Sequence, residues 1–510
     1  MFARKKRNKS GSVSIQIIDK TKGYRVIETV GSSNNPEEVE RLFLRAKQSL
    51  TPKQPNQGWL FSVRSKEDLA LENFVESLKN SQVRAVGPEL IFGALFDRIG
   101  FSSIKEELFR HLTIARLAFP VTSKLKTVDY LRRYRGIETS KDAIYRFLDQ
   151  LNSRYKEDVT AIAYQYTKAR LGAIACVFYD MTTLYFEAED EDDLRKKGYS
   201  KDGKFENPQI LLGLLVGLDG LPIGYDIFDG NKFEGHTLLP VLRRIQSKYG
   251  FDKPIVVADA ALLSIDNIAQ LKEEGYRFIL GARIRNEREV IREEILKKAA
   301  GMKDGDNFII DKEGGVRLVV TYSEKRSKKD AANRKRGVEK LRKQVQSGRL
   351  SKQSINNRGY NRFLMIAGEA EIIIDEERIK ADNRWDGLKG FVTNTNLSAK
   401  DVAGNYVQLW QIESAFRISK TDLRVRPIHH QLRKRIEAHL CIAFVAYTIY
   451  KELDHLLKNN GLAISPKRTG ELSQNMYELE YTLPESGEIK RQLLRMDADQ
   501  QSIYDLIRKP

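Results

Sequence analysis

Alternation and helical spacing of the apolar positions divide the chain into distinct stretches. The runs SVSIQII and YRVIETV, within residues 13–30, alternate and predict two short strands joined at Lys22-Gly23. Residues 36–50 predict a helix. From Gly87 to about Lys168, apolar residues recur every three or four positions almost throughout, as in PELIFGALFDRIG and SIKEELFRHLTIARLAF, which predicts a mainly helical region. Within it, Thr139-Ser140 caps a helix carrying Lys141, Tyr145 and Arg146 after a turn at Gly136. That pattern suits a helix-turn-helix recognition helix or a plain helical bundle, and either makes the region a candidate DNA-binding domain.

The texture changes at Ala173. AIACVFYD reads as a buried strand ending in Asp180. NPQILLGLLVGLDG and LPIGYDIFDG follow as two more strands joined by a tight turn at Asp219-Gly220. A helix (EGHTLLPVLRRIQSKYG), a buried strand ending in Asp259 (PIVVAD), a helix (SIDNIAQLKEEG) and a strand (YRFILGAR) come next. Such an order predicts a mixed α/β sheet. Between Arg285 and Arg384 the pattern is interrupted by strand-like runs (DNFIID, VRLVVTYS, YNRFLMIAG, AEIIID). It also holds a basic helical region, Lys325 to Lys352, with twelve cations against two acids. The strand GLKGFVTNTN resumes the sheet. A helix over NYVQLWQIESAFRISKTDL and a strongly apolar helix at Leu440–Leu457 follow, and the final residues are weakly periodic, suiting a partner-facing tail. The domains expected are 1–80 (strands and helix), 81–168 (helical, DNA-binding), 169–284 with 386–460 (sheet core), 285–385 (β-rich insertion) and 461–510 (tail).

Composition narrows the class. A formal net charge of +18 and a pI near 9.5 point to a polyanionic partner, and the basic helical region has the length and sign for nucleic-acid contact. Cys176 and Cys441 lie in apolar runs, as buried thiols do in a reducing compartment. No CxxC pair or zinc-finger spacing occurs, and packing or phosphate contact explains His429, His430 and His439 better than a metal cluster. The start, MFARKKRNKSGS, lacks the apolar segment of a signal peptide, and KKRNK suits a disordered phosphate-binding arm. No apolar run is long enough to span a bilayer, so a soluble, cytoplasmic protein is expected.

The chemistry concentrates on three acids. Tyr406, Glu413 and Lys420 are seven residues apart and share one line of an α-helix, with Trp410 and Arg417 flanking Glu413. Asp180 and Asp259, at strand ends, would face the crevice where α/β sheets bind ligands. Three converging carboxylates repel one another, and oxygen-only ligation suits two magnesium or manganese ions. The acidic loop Glu187 to Asp193 competes for this role but has no apolar frame to hold it rigidly. Asn231 and His236, after the third strand, either line the same crevice or cap the next helix.

The motifs YDMTTLYFEA, GYSKDGK, IFDGNKFEGHTLLPVL, VVADAALLS, GFVTNTN and the Glu413 helix resemble those of DDE transposases of the IS4 superfamily, closest to the IS1634-like group. The resemblance covers about residues 170–460. It implies an RNase H-like catalytic core with an insertion before the last catalytic helix. It further implies metal binding by Asp180, Asp259 and Glu413, two magnesium ions, and cleavage at terminal inverted repeats followed by strand transfer into target DNA. Tyr406, Trp410, Arg417 and Lys420 would contact DNA, with Trp410 or Trp385 stacking on an extruded base or simply packing. The family's helix signature places an arginine where this chain has Leu409; Arg417 and Arg424 are candidate substitutes. A prokaryotic cut-and-paste transposase, nucleoid-associated and at least dimeric on double-stranded DNA, is therefore expected. The alternatives are a non-transposing RNase H-like nuclease and a non-catalytic DNA-binding derivative.

Overall fold

The computed structural model describes residues 1–21, 23–50, 66–120, 123–200, 203–250, 253–260, 262, 264–348, 350, 354–356, 358–367 and 371–509. Lys22 of the first predicted turn, Lys201 and Asp202 of GYSKDGK, and Ala261 and Leu263 of VVADAALLS lie outside them. So do Arg349, Ser351 and Lys352 of the basic region, and Gly368 and Ala370 at the edges of two predicted strands. The chain divides into two compact units, Met1–Leu78 and Lys79–Pro510. Among the described residues no helix is long and apolar enough to cross a membrane.

The first unit holds a three-stranded antiparallel sheet, Phe2–Arg7, Val13–Asp19 and Arg25–Ser33, with a helix at Pro36–Leu50. Ile15 and Ile17 pack on Val39 and Ala46 of that helix. The basic start is thus an ordered edge strand, not a disordered arm. Lys5 explains this: it pairs with Glu40 and lies 4.7 Å from the Phe43 ring, while Arg4 bonds Gln16 across the strands at 3.1 Å.

In the second unit an eight-stranded mixed sheet is formed by β1 (Cys176–Tyr185), β2 (Gln209–Val216), β3 (Pro222–Asp229), β4 (Ile255–Ala258), β5 (Arg277–Ala282), β6 (Asn307–Lys312), β7 (Val316–Tyr322) and β8 (Leu388–Thr393). Its order is β6-β7-β8-β5-β4-β1-β2-β3. Within it, β3-β2-β1-β4-β5 has only β2 antiparallel to the rest, the arrangement of an RNase H-like core. Asp219 and Gly220 turn the β2–β3 hairpin with φ of 58° and 72°, the left-handed pair that tight hairpins require. Two of the four strands between residues 285 and 385 extend this sheet, β7 by pairing with β8 and β6 by pairing with β7. The rest of that stretch holds a 23-residue helix (Glu324–Gln346) and a small hairpin, Leu364–Ala367 with Glu371–Ile374.

The apolar helix expected at Leu440–Leu457 runs from Arg433 to Asn459, and every residue from Ala438 to Leu453 is buried. A helix apolar on all sides belongs at the centre of a core. Helices Ala94–Ile99, Glu107–Ala118, Lys141–Gln150 and Lys156–Leu171 pack around it, so it is no free dimer surface. Lys141–Gln150 is capped by Ser140 as read from sequence, but Tyr145 faces this hub, with the Arg435 guanidinium 4.6 Å from its ring. The C-terminal residues are not a free tail either. Tyr477–Thr482 pairs with Ile489–Leu493 on one side and Val83–Ala85 on the other, and Ile503, Leu506 and Ile507 of the last helix join the same core.

Candidate active site

Strand register brings two acids together. The parallel pairing of β1 with β4 ends at Tyr179 opposite Ala258, so Asp180 and Asp259 are the next residues on each strand. Neighbouring strands lie ~4.8 Å apart, and side chains alternate between faces. Asp180 therefore shares a face with Phe178, and Asp259 with Val257, both of which belong to the core cluster that holds Leu409, Ile412, Ala415 and Phe416. Asp180 is not at its strand's end, as predicted, but in the middle. The strand continues because Met181 to Tyr185 pair with Gly213 to Gln209 of the fully buried β2. A carboxylate oxygen of Asp180 also accepts the Met181 amide at 2.7 Å.

Glu413 reaches the same face by a broken helix. The single helix expected over Asn405–Leu423 is three pieces: α-helix to Val407, α-helix over Trp410–Arg417, and a wider π-turn over Ile418–Asp422. At the first junction the amides of Gln408, Leu409, Gln411 and Ile412 bond three residues back, a tighter winding than α. Tightening advances the helix and the π-turn retards it, so Tyr406, Glu413 and Lys420 do not form one ideal line. Leu409, Ile412, Ala415 and Phe416 still seat the helix in the core, leaving Glu413 exposed. Leu409 itself is buried, which fits a leucine where the family signature has an arginine.

Tyr406 registers all three acids at once. Burial pushes its phenol up to about 12, and the negative fields of Asp259, Glu413 and Asp180 push the same way. Its hydroxyl lies against Gly281, where a Cβ would come within 2.5 Å of it and 3.0 Å of the Ala260 amide. The Lys389 ammonium stands 4.4 Å from the centre of the Tyr406 ring. Burial, reinforced by Arg326, holds this lysine below its usual value, and Glu413 opposes the shift. Sequence reasoning missed Lys389, although a lone lysine within the apolar strand LKGFVT is the signal that marks it.

Among the described residues no three His, Cys, Asp or Glu side chains already form a close metal-ligand group. The other candidates separate. Lys420 is half-buried, Arg417 is exposed with a 3.4 Å bond to Ser414, and Trp410 is 49% exposed, open to a stacking partner. Trp385 is buried in the core on the opposite sheet face. Arg424 adopts a left-handed φ of 46°, and its carbonyl accepts from the buried Arg116 at 3.3 Å. The His430 and His439 rings lie 5.4 Å apart, tilted at 58°, and His439 bonds the Val425 carbonyl at 3.0 Å, a packing role. His236 is exposed and meets the Phe233 ring edge-on. In the acidic loop, Asp192 is committed to its own turn through Leu194, Arg195 and the Arg195 side chain. Both cysteines are buried thiols.

Among solved structures, the chain is similar to piggyBac transposase in a synaptic complex with hairpin DNA, at 11% identity over 76% of each chain and a TM-score of 0.39. It is also similar to Mos1 transposase in a paired-end complex with the left transposon end, at 11% identity over 48% of this chain and 68% of that one, with a TM-score of 0.16. No curated protein sequence matches it. The family model described as the transposase DDE domain matches residues 174–449, more than half of the chain, and the chain belongs to that family.

Proposed function

We propose that the protein is a cut-and-paste DNA transposase of the IS4 superfamily, near its IS1634-like group, with Asp180, Asp259 and Glu413 as its metal-binding acids. The observation that carries this reading is the shared sheet face: two aspartates adjacent in parallel register, with the Glu413 helix packed over them and one phenol feeling all three charges. The donor set fits magnesium or manganese, since it offers carboxylate oxygens only. Held by Asp180, Asp259 and Glu413, such ions would supply activation of an attacking oxygen and stabilisation of the leaving oxygen at phosphorus.

The chain's own groups perform the remaining work. Tyr406, neutral at physiological pH, offers a hydroxyl beside the acids for a phosphate oxygen. Lys420 and Arg417 hold the backbone near the cut, and Trp410 presents a face for an unstacked base. The charge of +18 supports a double-stranded DNA partner. Two transposon ends must be cut and joined together, which calls for at least a dimer. A cytoplasmic, nucleoid-associated setting follows from that substrate.

Asp180→Asn, Asp259→Asn and Glu413→Gln are each expected to abolish strand cleavage of the DNA ends flanking the gene, with binding to those ends retained. Wild-type cleavage by any one of the purified variants would falsify the assignment. Strand transfer from pre-cleaved ends separates a transposase from a nuclease that cuts without joining. Binding indifferent to magnesium, with no cleavage by the wild type, would leave only a DNA-binding derivative.

A further inference from the structure

The face that carries the three acids borders a cavity of about 500 Å³ that no role above uses. One wall is the sheet, with Ala260 next to Asp259, then Gly281 and Lys389, joined by Tyr406 from the helix Ala399–Val407. The other is the helix Glu324–Gln346, which contributes Arg326 and Arg334. Six cations line the cavity against three carboxylates, so its interior is positive.

Half of these cations are already engaged. Arg334 binds Asp386 at 2.6 Å and Asp382 at 3.3 Å, and Arg362 binds Asp382 at 3.0 Å, with Arg285 as a further partner. Three cations are left: Arg283, which is exposed, and two with weaker engagements. Arg326 is half exposed and, among the described residues, pairs with its helix neighbour Asp330 at 3.5 Å. Lys389 has no ion-pair partner among the described residues and faces the rings of Tyr406 and Phe391. Two partly desolvated cations repel across a shared cavity, and a bound anion relieves the repulsion.

We propose that Arg326 and Lys389 form a seat for a DNA phosphodiester next to the one being cut. The seat rests on the transposase reading and adds residues the family signature does not contain. Guanidinium and ammonium are the two groups that bind phosphate best, one as a fork and one as a point charge. A cavity of this size accepts a phosphodiester with its flanking sugars. Both groups act by positioning the strand, since the three acids lie on the adjoining face.

The test is ethylation interference on end DNA with full-length wild type, Arg326→Gln, Lys389→Gln and Arg326→Lys, with cleavage measured on the same samples. Each Gln variant should lose the same one or two phosphates near the cut from an otherwise unchanged footprint. Binding should weaken about 10-fold, and the dependence of log affinity on log salt should become shallower by about 0.9. Arg326→Lys should restore most of the affinity, because the charge returns. A general loss of structure would weaken every phosphate contact alike and leave no single gap, which overturns the seat. Identical footprints and salt slopes in wild type and both Gln variants overturn it equally. Altered footprints without cleavage by the wild type would keep the seat and sink the transposase reading.

Discussion

A single phenol ties the site together. Tyr406 carries no formal charge, yet burial raises its pKa and three acids from two strands and a helix push the same way. Its folded pKa lies above the ordinary tyrosine value, so the contribution of this group to stability is complete below pH ~10 and is lost as pH rises through about 12. Tyrosinate absorbance of wild type minus Tyr406→Phe should therefore show one group ionising near 12. Asp259→Asn should move that step downward, and a step near 10 in the wild type would contradict the shared face. The pair Asp180 and Asp259 was legible in the sequence as two acids after apolar runs. That Asp180 lies in mid-strand was not, because pairing with a strand thirty residues later decides where β1 ends.

At the scale of elements, the Glu413 helix shows what spacing conveys and what it hides. Its apolar stripe of Leu409, Ile412 and Phe416 was readable and does seat it. Its division into three pieces was not, since tight and wide turns obey packing demands that a 3.6-residue period does not encode. Leu409 is the lesson's other half: at 6% exposure it is a core residue, not a vacant phosphate ligand. Leu409→Ala should cost ~2–5 kcal/mol of stability. Leu409→Arg should destabilise rather than restore a signature contact, because it buries an unpaired charge. Thermal melts of both variants check this, and a stable, more active Leu409→Arg would contradict it. The same limit explains the N-terminal strand, where a run of cations looked disordered until Glu40 and Phe43 supplied partners from a helix thirty-five residues on.

For the whole molecule, a mixed α/β sheet could be read from the alternation of strands and helices, while its RNase H-like order was implied only by the family resemblance. The eight-stranded width could not be read. Runs such as DNFIID and VRLVVTYS carried the strand signal, but nothing local says that they join the core sheet through β8. Likewise, the burial of Arg433–Asn459 depends on helices drawn from residues 94–171, which the apolar run by itself does not identify. A chain ending at residue 384 lacks β8 and is expected to be insoluble, since it leaves the edges of β5 and β7 unpaired. Its recovery as a soluble monomer, measured by gel filtration, would show that the sheet closes without β8.

The position of β8 has a further consequence during synthesis. Thr393 pairs with Ile279, and Val392 with Leu280, although roughly a hundred residues separate the two strands. At ~5–20 residues per second, a ribosome delivers β8 some 5–20 seconds after β5. Throughout that interval the nascent chain carries an apolar edge, Phe278-Ile279-Leu280, with one row of backbone groups waiting for a partner still being made. The speed of translation, and the chaperones that attend it, thus become part of what decides how much of this protein reaches its native sheet.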